Sequence, residues 1–170
     1  MSVAKLVLED GSIFTGESFG AEGETVGEVV FNTSMSGYQE ILTDPSYKGQ
    51  MVVMTAPHIG NCGVNEDDFE SRHPCLGGFI VRECFPVASN HRSSGDLDGF
   101  LREYGIVGIQ GVDTRAITRK LRISGAMNGV ISTADLDGER LTDKSRSAPK
   151  MEGQDLVQAV SLEEPRHWKE

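Results

Sequence analysis

Asp44-Pro45-Ser46-Tyr47-Lys48-Gly49 is the stretch of this sequence with the most specific chemical reading. Asp44 suits a helix N-cap, Pro45 the first helical position and Gly49 the close of a tight turn. That arrangement places the N–H groups of Ser46 and Tyr47 near the positive end of a helical turn, with the Ser46 hydroxyl beside them. Such a place favours a small anion such as a carboxylate. An ordinary capped turn is the alternative reading of the same spacing. The stretch closes a longer run, residues 31–47 (FNTSMSGYQEILTDPSY), where Asn, Ser, Thr, Tyr and Gly crowd together. Crowding of that kind belongs to binding loops carried on a rigid scaffold.

Three other groups of residues could do chemistry. Gly60-Asn61-Cys62-Gly63 has the flavour of a nucleophile elbow, on which a thiolate would need a base in reach and an oxyanion hole. The second Gly comes one residue too early for G-x-C-x-G and no helical pattern follows, so Cys62 reads better as a small apolar loop residue. Cys62, His73, Cys75 and Cys84 offer soft metal ligands within one segment, but without the tight C-x-x-C pairs of structural zinc sites. No metal is expected. In DTRAITRKLRISG, Arg115, Arg119 and Arg122 recur at i, i+4 and i+7 and so share one helix face, with Ile117 and Leu121 turned inward. That face is either a solvated one, suited to a helix C-terminus, or a docking face for an acidic partner.

The elements that must position these groups follow from turn and period signals. Residues 5–9 and 12–17 read as strands joined by an Asp10-Gly11 hairpin turn. Residues 28–33 and 51–56 read as apolar strands, with Pro57 closing the second, and 77–83 as a third. Leu97, Phe100, Leu101 and Tyr104 fall at i, i+3, i+4 and i+7, which predicts a helix ended by Gly105. A strand at 106–112, a helix from the Asp113 cap to about Ile123, and a strand at 127–133 complete the regular part. Residues 135–153, rich in Asp, Ser, Lys and Pro, read as a mobile surface segment, and 155–160 as a last short helix. The fold class is one α/β domain: a β-rich front half, helices packed on the sheet later, and at least one parallel pair with a crossover.

The 170 residues amount to about one domain, long enough to bury a core without a disulfide or metal. A net charge of −10 argues against a nucleic-acid binder and against anionic membrane surfaces. No apolar run approaches the roughly 20 residues of a membrane span. Three cysteines with no secretory leader point to a reduced, cytoplasmic protein.

In order along the chain, LEDGSIFTGESFG, GEVVFNTSMSGYQEILTDPSY, PHIGN, ASNHR and GVDTRAITRKLRISGAMNG resemble one family closely. The sequence is similar to the N-terminal domain of the small, glutamine-hydrolysing chain of carbamoyl phosphate synthetase, from Leu6 to about Val160. The resemblance implies a single β/β/α domain of the swivelling type over residues 1–153. It also implies that residues 154–170 form a short helix and the start of a linker to an amidotransferase domain. The family's small chain hydrolyses glutamine, and the large subunit combines the ammonia with bicarbonate and ATP. The carbamoyl phosphate formed serves arginine and pyrimidine biosynthesis. Ser46, the serine of the DPSY motif, is then the residue that reaches L-glutamine from this domain. Arg115, Arg119 and Arg122 become candidates for docking the large subunit. The family's nucleophilic G-x-C-x-G elbow and His-x-Glu pair are missing, since none of His58, His73, His91 or His167 is followed two residues later by Glu. No catalytic residue and no cofactor are therefore expected within this chain, ATP being used by the large subunit. A stand-alone protein-binding module is the alternative function.

Overall fold

The computed structural model describes residues 2–162. Seven strands close into a barrel, and their order follows from two features of the sequence, a tight hairpin and a set of short apolar strands. β1 (Val3–Leu8) and β2 (Ile13–Gly20) form the hairpin, in antiparallel register from Val3↔Glu17 to Val7↔Ile13. Gly11 turns it at φ 87°, where a side chain would be strained. β3 (Glu24–Asn32), β4 (Met51–Met54), β6 (Gly78–Ile80) and β8 (Val107–Gln110) run parallel to one another. β9 (Met127–Ser132) lies antiparallel between β1 and β3, and β8 antiparallel to β2, which closes the order β1-β2-β8-β6-β4-β3-β9. β5 (His58–Ile59) and β7 (Glu83–Cys84) form a separate two-stranded parallel pair.

Alternation along the strands sorts their side chains into two apolar clusters. Leu6, Leu8, Val29, Met51, Val53, Ile80, Ile109 and Ile131 fill the barrel interior, and Ile117 and Leu121 of α3 (Thr114–Ser124) join them there. On the outer wall, Val52, Met54 and Phe79 pack against Ile41 and Leu42 of α1 (Tyr38–Thr43). Leu97, Phe100 and Leu101 of α2 (Leu97–Glu103) cover the same wall. Asp96 caps α2 through the Gly99 N–H at 2.8 Å, and Asp113 caps α3 through the Ala116 N–H at 2.9 Å. Gly105 follows α2 at φ 69°. The α/β mixture, the parallel strands and the helices laid on the sheet agree with the sequence reading. The front half is not self-contained, because β8 and β9 from the back half complete the barrel. The strand expected at 77–83 is cut in two: β6 stays in the barrel, while β7 leaves it to pair with β5.

One expectation is overturned. Within residues 135–153 lies an ordered helix, α4 (Gly138–Ser147), not a mobile segment throughout. Its sole fully buried apolar residue, Leu141, packs on Val7 and Val130 against the outside of β1 and β9. With a single apolar anchor the helix has no hydrophobic period to read. It is held by its cap and by charge: Asp137 accepts the N–H groups of Glu139 and Arg140, Arg140 pairs with Asp135 at 2.7 Å, and Lys144 pairs with Glu24 at 2.8 Å. A last short helix, α5, covers Val157–Val160. His167 and the linker expected toward Glu170 lie outside the described residues. Among the described residues, no helix is long and apolar enough to cross a membrane.

The Asp135 carboxyl is held well below the usual carboxylate range, first by its hydrogen bond from Arg140 and then by the Asp137 N–H. A folded-state pKa below the unfolded one stabilises the fold above about pH 4, and that stability is lost as pH falls through the lowered value. Asp135→Asn is therefore expected to lower the melting temperature at pH 7 and to flatten its decline below about pH 4. Equal slopes for the two proteins in thermal melts across pH 2–7 would show that the pair does not couple to folding.

Candidate functional site

The stretch between β3 and β4 is built from its two ends inward. Asn32, the last residue of β3, acts as a three-way clamp. Its side-chain oxygen accepts the Ser34 N–H at 2.7 Å, its side-chain nitrogen donates to the Tyr47 hydroxyl at 3.0 Å, and its carbonyl accepts the Thr55 N–H at 3.0 Å. Gly37 enters α1 at φ 76° with no side-chain cap, so the helix is anchored by burial of Ile41 and Leu42 and not by its terminus. Pro45–Tyr47 then forms a single 3₁₀ turn.

That turn corrects the anion reading. Asp44 does cap it and Pro45 does open it, but the Asp44 carboxylate itself takes the Ser46 N–H at 2.8 Å. The Tyr47 N–H goes to the Asp44 carbonyl at 3.1 Å, and the Lys48 N–H to that of Pro45 at 3.2 Å. The backbone donors are consumed within the turn, so none is left for an anion. What remains is the Ser46 hydroxyl, exposed and without a hydrogen-bond partner among the described residues. Gly49, at φ 75°, closes the turn as its position in the sequence implies.

A polar wall stands beside α1. The Tyr38 hydroxyl donates to the Gly63 carbonyl at 2.7 Å, and burial pushes its pKa well up, so it stays a neutral donor. Gln39 donates to the Asn65 carbonyl and accepts the Asn65 N–H at 2.9 Å. The Asn65 side chain in turn holds Asp68 at 2.7 Å, and Arg92 reaches the same carboxylate at 2.7 Å. Asn65 first and Arg92 second hold the Asp68 carboxyl below its ordinary pKa. Thus α1, the loop after PHIGN and the ASNHR segment are brought together by a network that sequence reading missed. The density of Asn and Asp in NEDD was a signal for it, but the pairing with Gln39 and Arg92 has no sequence period.

The cysteines are separate, free and half-buried. Cys62 lines a small cleft with Ser36, Tyr38, Asn65, Asp68 and Asn90, and no histidine borders that cleft. Burial, followed by the fields of Asp98 and Asp96, pushes the Cys84 thiol up to about 12, which disfavours it as thiolate nucleophile or ligand. Among the described residues, no group of three or more His, Cys, Asp or Glu side chains is arranged to hold a metal. His58 faces Glu83 at 3.3 Å across the β5–β7 pair and packs edge-on to Phe85.

Arg115, Arg119 and Arg122 are all exposed on one side of α3, opposite the buried Ile117 and Leu121. None makes an ion pair or hydrogen bond with a described residue, whereas Lys120 on the same helix pairs with Asp10. The arrangement is costly for the helix. Like charges at i,i+4 and i,i+3 each oppose folding by about 0.2–0.5 kcal/mol. The dipole favours Arg122 in the last turn, but it opposes Arg115 in the first by about 0.3–1 kcal/mol, offset in part by the Asp113 cap.

The clamp is directly testable. Asn32→Ala leaves the Ser34 N–H and the Tyr47 hydroxyl without their partner and is expected to cost about 1–2 kcal/mol. The melting temperature should fall by a few degrees, with faster amide exchange at Ser34, whose acceptor is the lost side chain, and little change at Thr55, whose acceptor is the retained Asn32 carbonyl. An unchanged melt and unchanged exchange would show that the turn is held by α1 packing alone.

The chain is similar to proteins of one family throughout. Residues 6–131 match the family described as carbamoyl-phosphate synthase small chain, CPSase domain. The chain is 58% identical over 167 residues to the carbamoyl phosphate synthase small chain of Syntrophotalea carbinolica, covering 98% of this chain and 44% of that one. It is 56% identical over 165 residues to the corresponding chain of Rhodopirellula baltica, covering 97% of this chain and 42% of that one. The value is again 56% over 165 residues for the Aquifex aeolicus chain, covering 97% and 44%. The chain thus spans less than half the length of these curated relatives. An ordered match over residues 6–131, with identity above one half along nearly the whole chain, leaves one assignment: the chain belongs to the carbamoyl-phosphate synthase small chain family, in the region of its CPSase domain.

Proposed function

We propose that this chain is the N-terminal part of the small subunit of glutamine-dependent carbamoyl phosphate synthetase, with Ser46 lining the glutamine pocket and an outer surface docking the large subunit. In this reading residues 1–153 are a β/β/α domain of the swivelling type, and residues 154–170 lead toward an amidotransferase domain that holds the catalytic Cys, His and Glu. The whole enzyme is a cytoplasmic ligase serving arginine and pyrimidine biosynthesis. Glutamine is hydrolysed at the small subunit, ATP is consumed at the large one, and this chain needs no cofactor.

The observation that carries the reading is the state of the 3₁₀ turn within a chain of this family. Every backbone donor around Ser46 is engaged internally, and Asn32 fixes Tyr47 beside it. The turn is therefore rigid, and its exposed hydroxyl is the group it offers outward. A rigidly presented O–H donates well to a carboxylate, the group that glutamine carries at its α-carbon.

The test is kinetic. In an intact small chain assembled with its large chain, Ser46→Ala is expected to raise the glutamine KM about ten- to a hundredfold, the range for losing one hydrogen bond to a charged group. Synthesis driven by added ammonia and the melting temperature should stay unchanged. A wild-type KM would reduce Ser46 to a capped turn. The 170-residue chain by itself should release no ammonia from glutamine, and turnover abolished by Cys62→Ala would overturn the division of labour.

A further inference from the structure

We infer that the exposed face of α3, formed by Arg115, Arg119, Arg122 and Ile123, is the surface through which this chain seats on its protein partner. The partner surface that fits it carries carboxylates around an apolar hollow. The inference rests on the docking role proposed above and names the surface and the chemistry that perform it.

Three observations converge on this helix. The first is clustering: among the described residues Lys5, Lys48, Arg72, Arg82, Arg146 and Lys150 also lack a carboxylate partner, but they are spread over separate elements, whereas three such cations gather on the one exposed face of α3. In a chain with 26 acidic against 16 basic residues, unpaired cations gathered on one face run against the composition. The second is arrangement: spacing at i, i+4 and i+7 repels within the helix and sets Arg115 against the dipole, so the stability of α3 does not account for it. The third is Ile123, which is 81% exposed one turn beyond Arg119 on the edge of the same stripe. An aliphatic tip flanked by guanidiniums has the composition of an interface centre and rim. Arginine suits carboxylate partners because its planar fork binds them two-pronged and gives up its hydration readily. Nucleic acid fits poorly, because a net charge of −10 repels the remainder of a polyanion.

The experiment measures binding of the intact small chain to its immobilised large chain between about 50 and 300 mM salt. The triple variant Arg115→Gln/Arg119→Gln/Arg122→Gln is expected to weaken binding at least tenfold and to lose most of the salt dependence. Lysine at the same three positions should restore part of the affinity and all of the salt dependence. Ile123→Ala should weaken binding about fivefold without changing the salt slope. Relief of repulsion should leave the melting temperature of the Gln variant equal to or higher than wild type. Wild-type affinity in the Gln variant would overturn this inference while leaving the proposed function standing. Loss of affinity accompanied by a lower melting temperature would overturn it as well, by making the arginines structural. Full competition by millimolar inorganic phosphate or by duplex DNA, but not by a polyglutamate peptide, would reassign the face to a phosphate-bearing partner. Failure of the wild-type small chain to bind the large chain would instead remove the docking role itself.

Discussion

Both faces of β4 must be buried, and much of the architecture follows from that constraint. Met51, Val52, Val53 and Met54 are all fully excluded from solvent, two pointing into the barrel and two outward. Each such side chain contributes about 1.5–3 kcal/mol on leaving water, and only if something covers it. The inner pair is covered by the opposite barrel wall and by α3. The outer pair requires a second layer, supplied by α1, α2 and the irregular chain between them. The barrel wall is therefore a partition between two cores and not a boundary with solvent.

The same requirement fixes the stretch from Asn32 to Gln50. α1 has a single turn and a half and no side-chain cap, so it has little stability of its own. It exists because Ile41 and Leu42 complete the outer core. Its polar side is then recruited: Gln39 and Thr43 bond to the loop at 65–71, and Arg92 ties that loop to the ASNHR segment. Ser46 is thus held at a defined place by apolar packing on one side and a hydrogen-bond network on the other. A side chain presented on a turn needs both to keep its place, since packing alone leaves rotation and polar contacts alone leave breathing.

Much of this was legible in the sequence because it rests on local signals. Asp10-Gly11, the Asp113 cap, Gly105 and the period of α2 each specify a neighbour a few residues away, and each stands where the sequence implies. The parallel alignment of β3, β4, β6 and β8 was legible only as a class, because register between distant strands depends on how three-dimensional space is filled. α4 was misread for a related reason: one leucine on a polar helix leaves no period, and its ion pairs join residues as far apart as Glu24 and Lys144. The turn at Ser46 had the right shape and the wrong electrostatics. The sequence shows that Asp44 can cap, but whether its carboxylate spends the capping bond on the Ser46 N–H is decided by side-chain geometry. The arginine stripe was visible as spacing, and the structure adds that its charges are uncompensated.

Closure of the barrel has a consequence for assembly. Each of its seven strands has a neighbour on both sides, and the remaining pair, β5 and β7, offers edges only two residues long. Joining two polypeptides by adding a strand to an open sheet needs a row of free backbone donors and acceptors. Among the described residues this molecule presents no such row. Recognition at its surface must therefore be written in side chains on helices and turns, where a single substitution alters affinity. Main-chain pairing, which tolerates nearly any sequence, has no place to start. A chain built this way is protected against joining copies of itself edge to edge through its barrel strands.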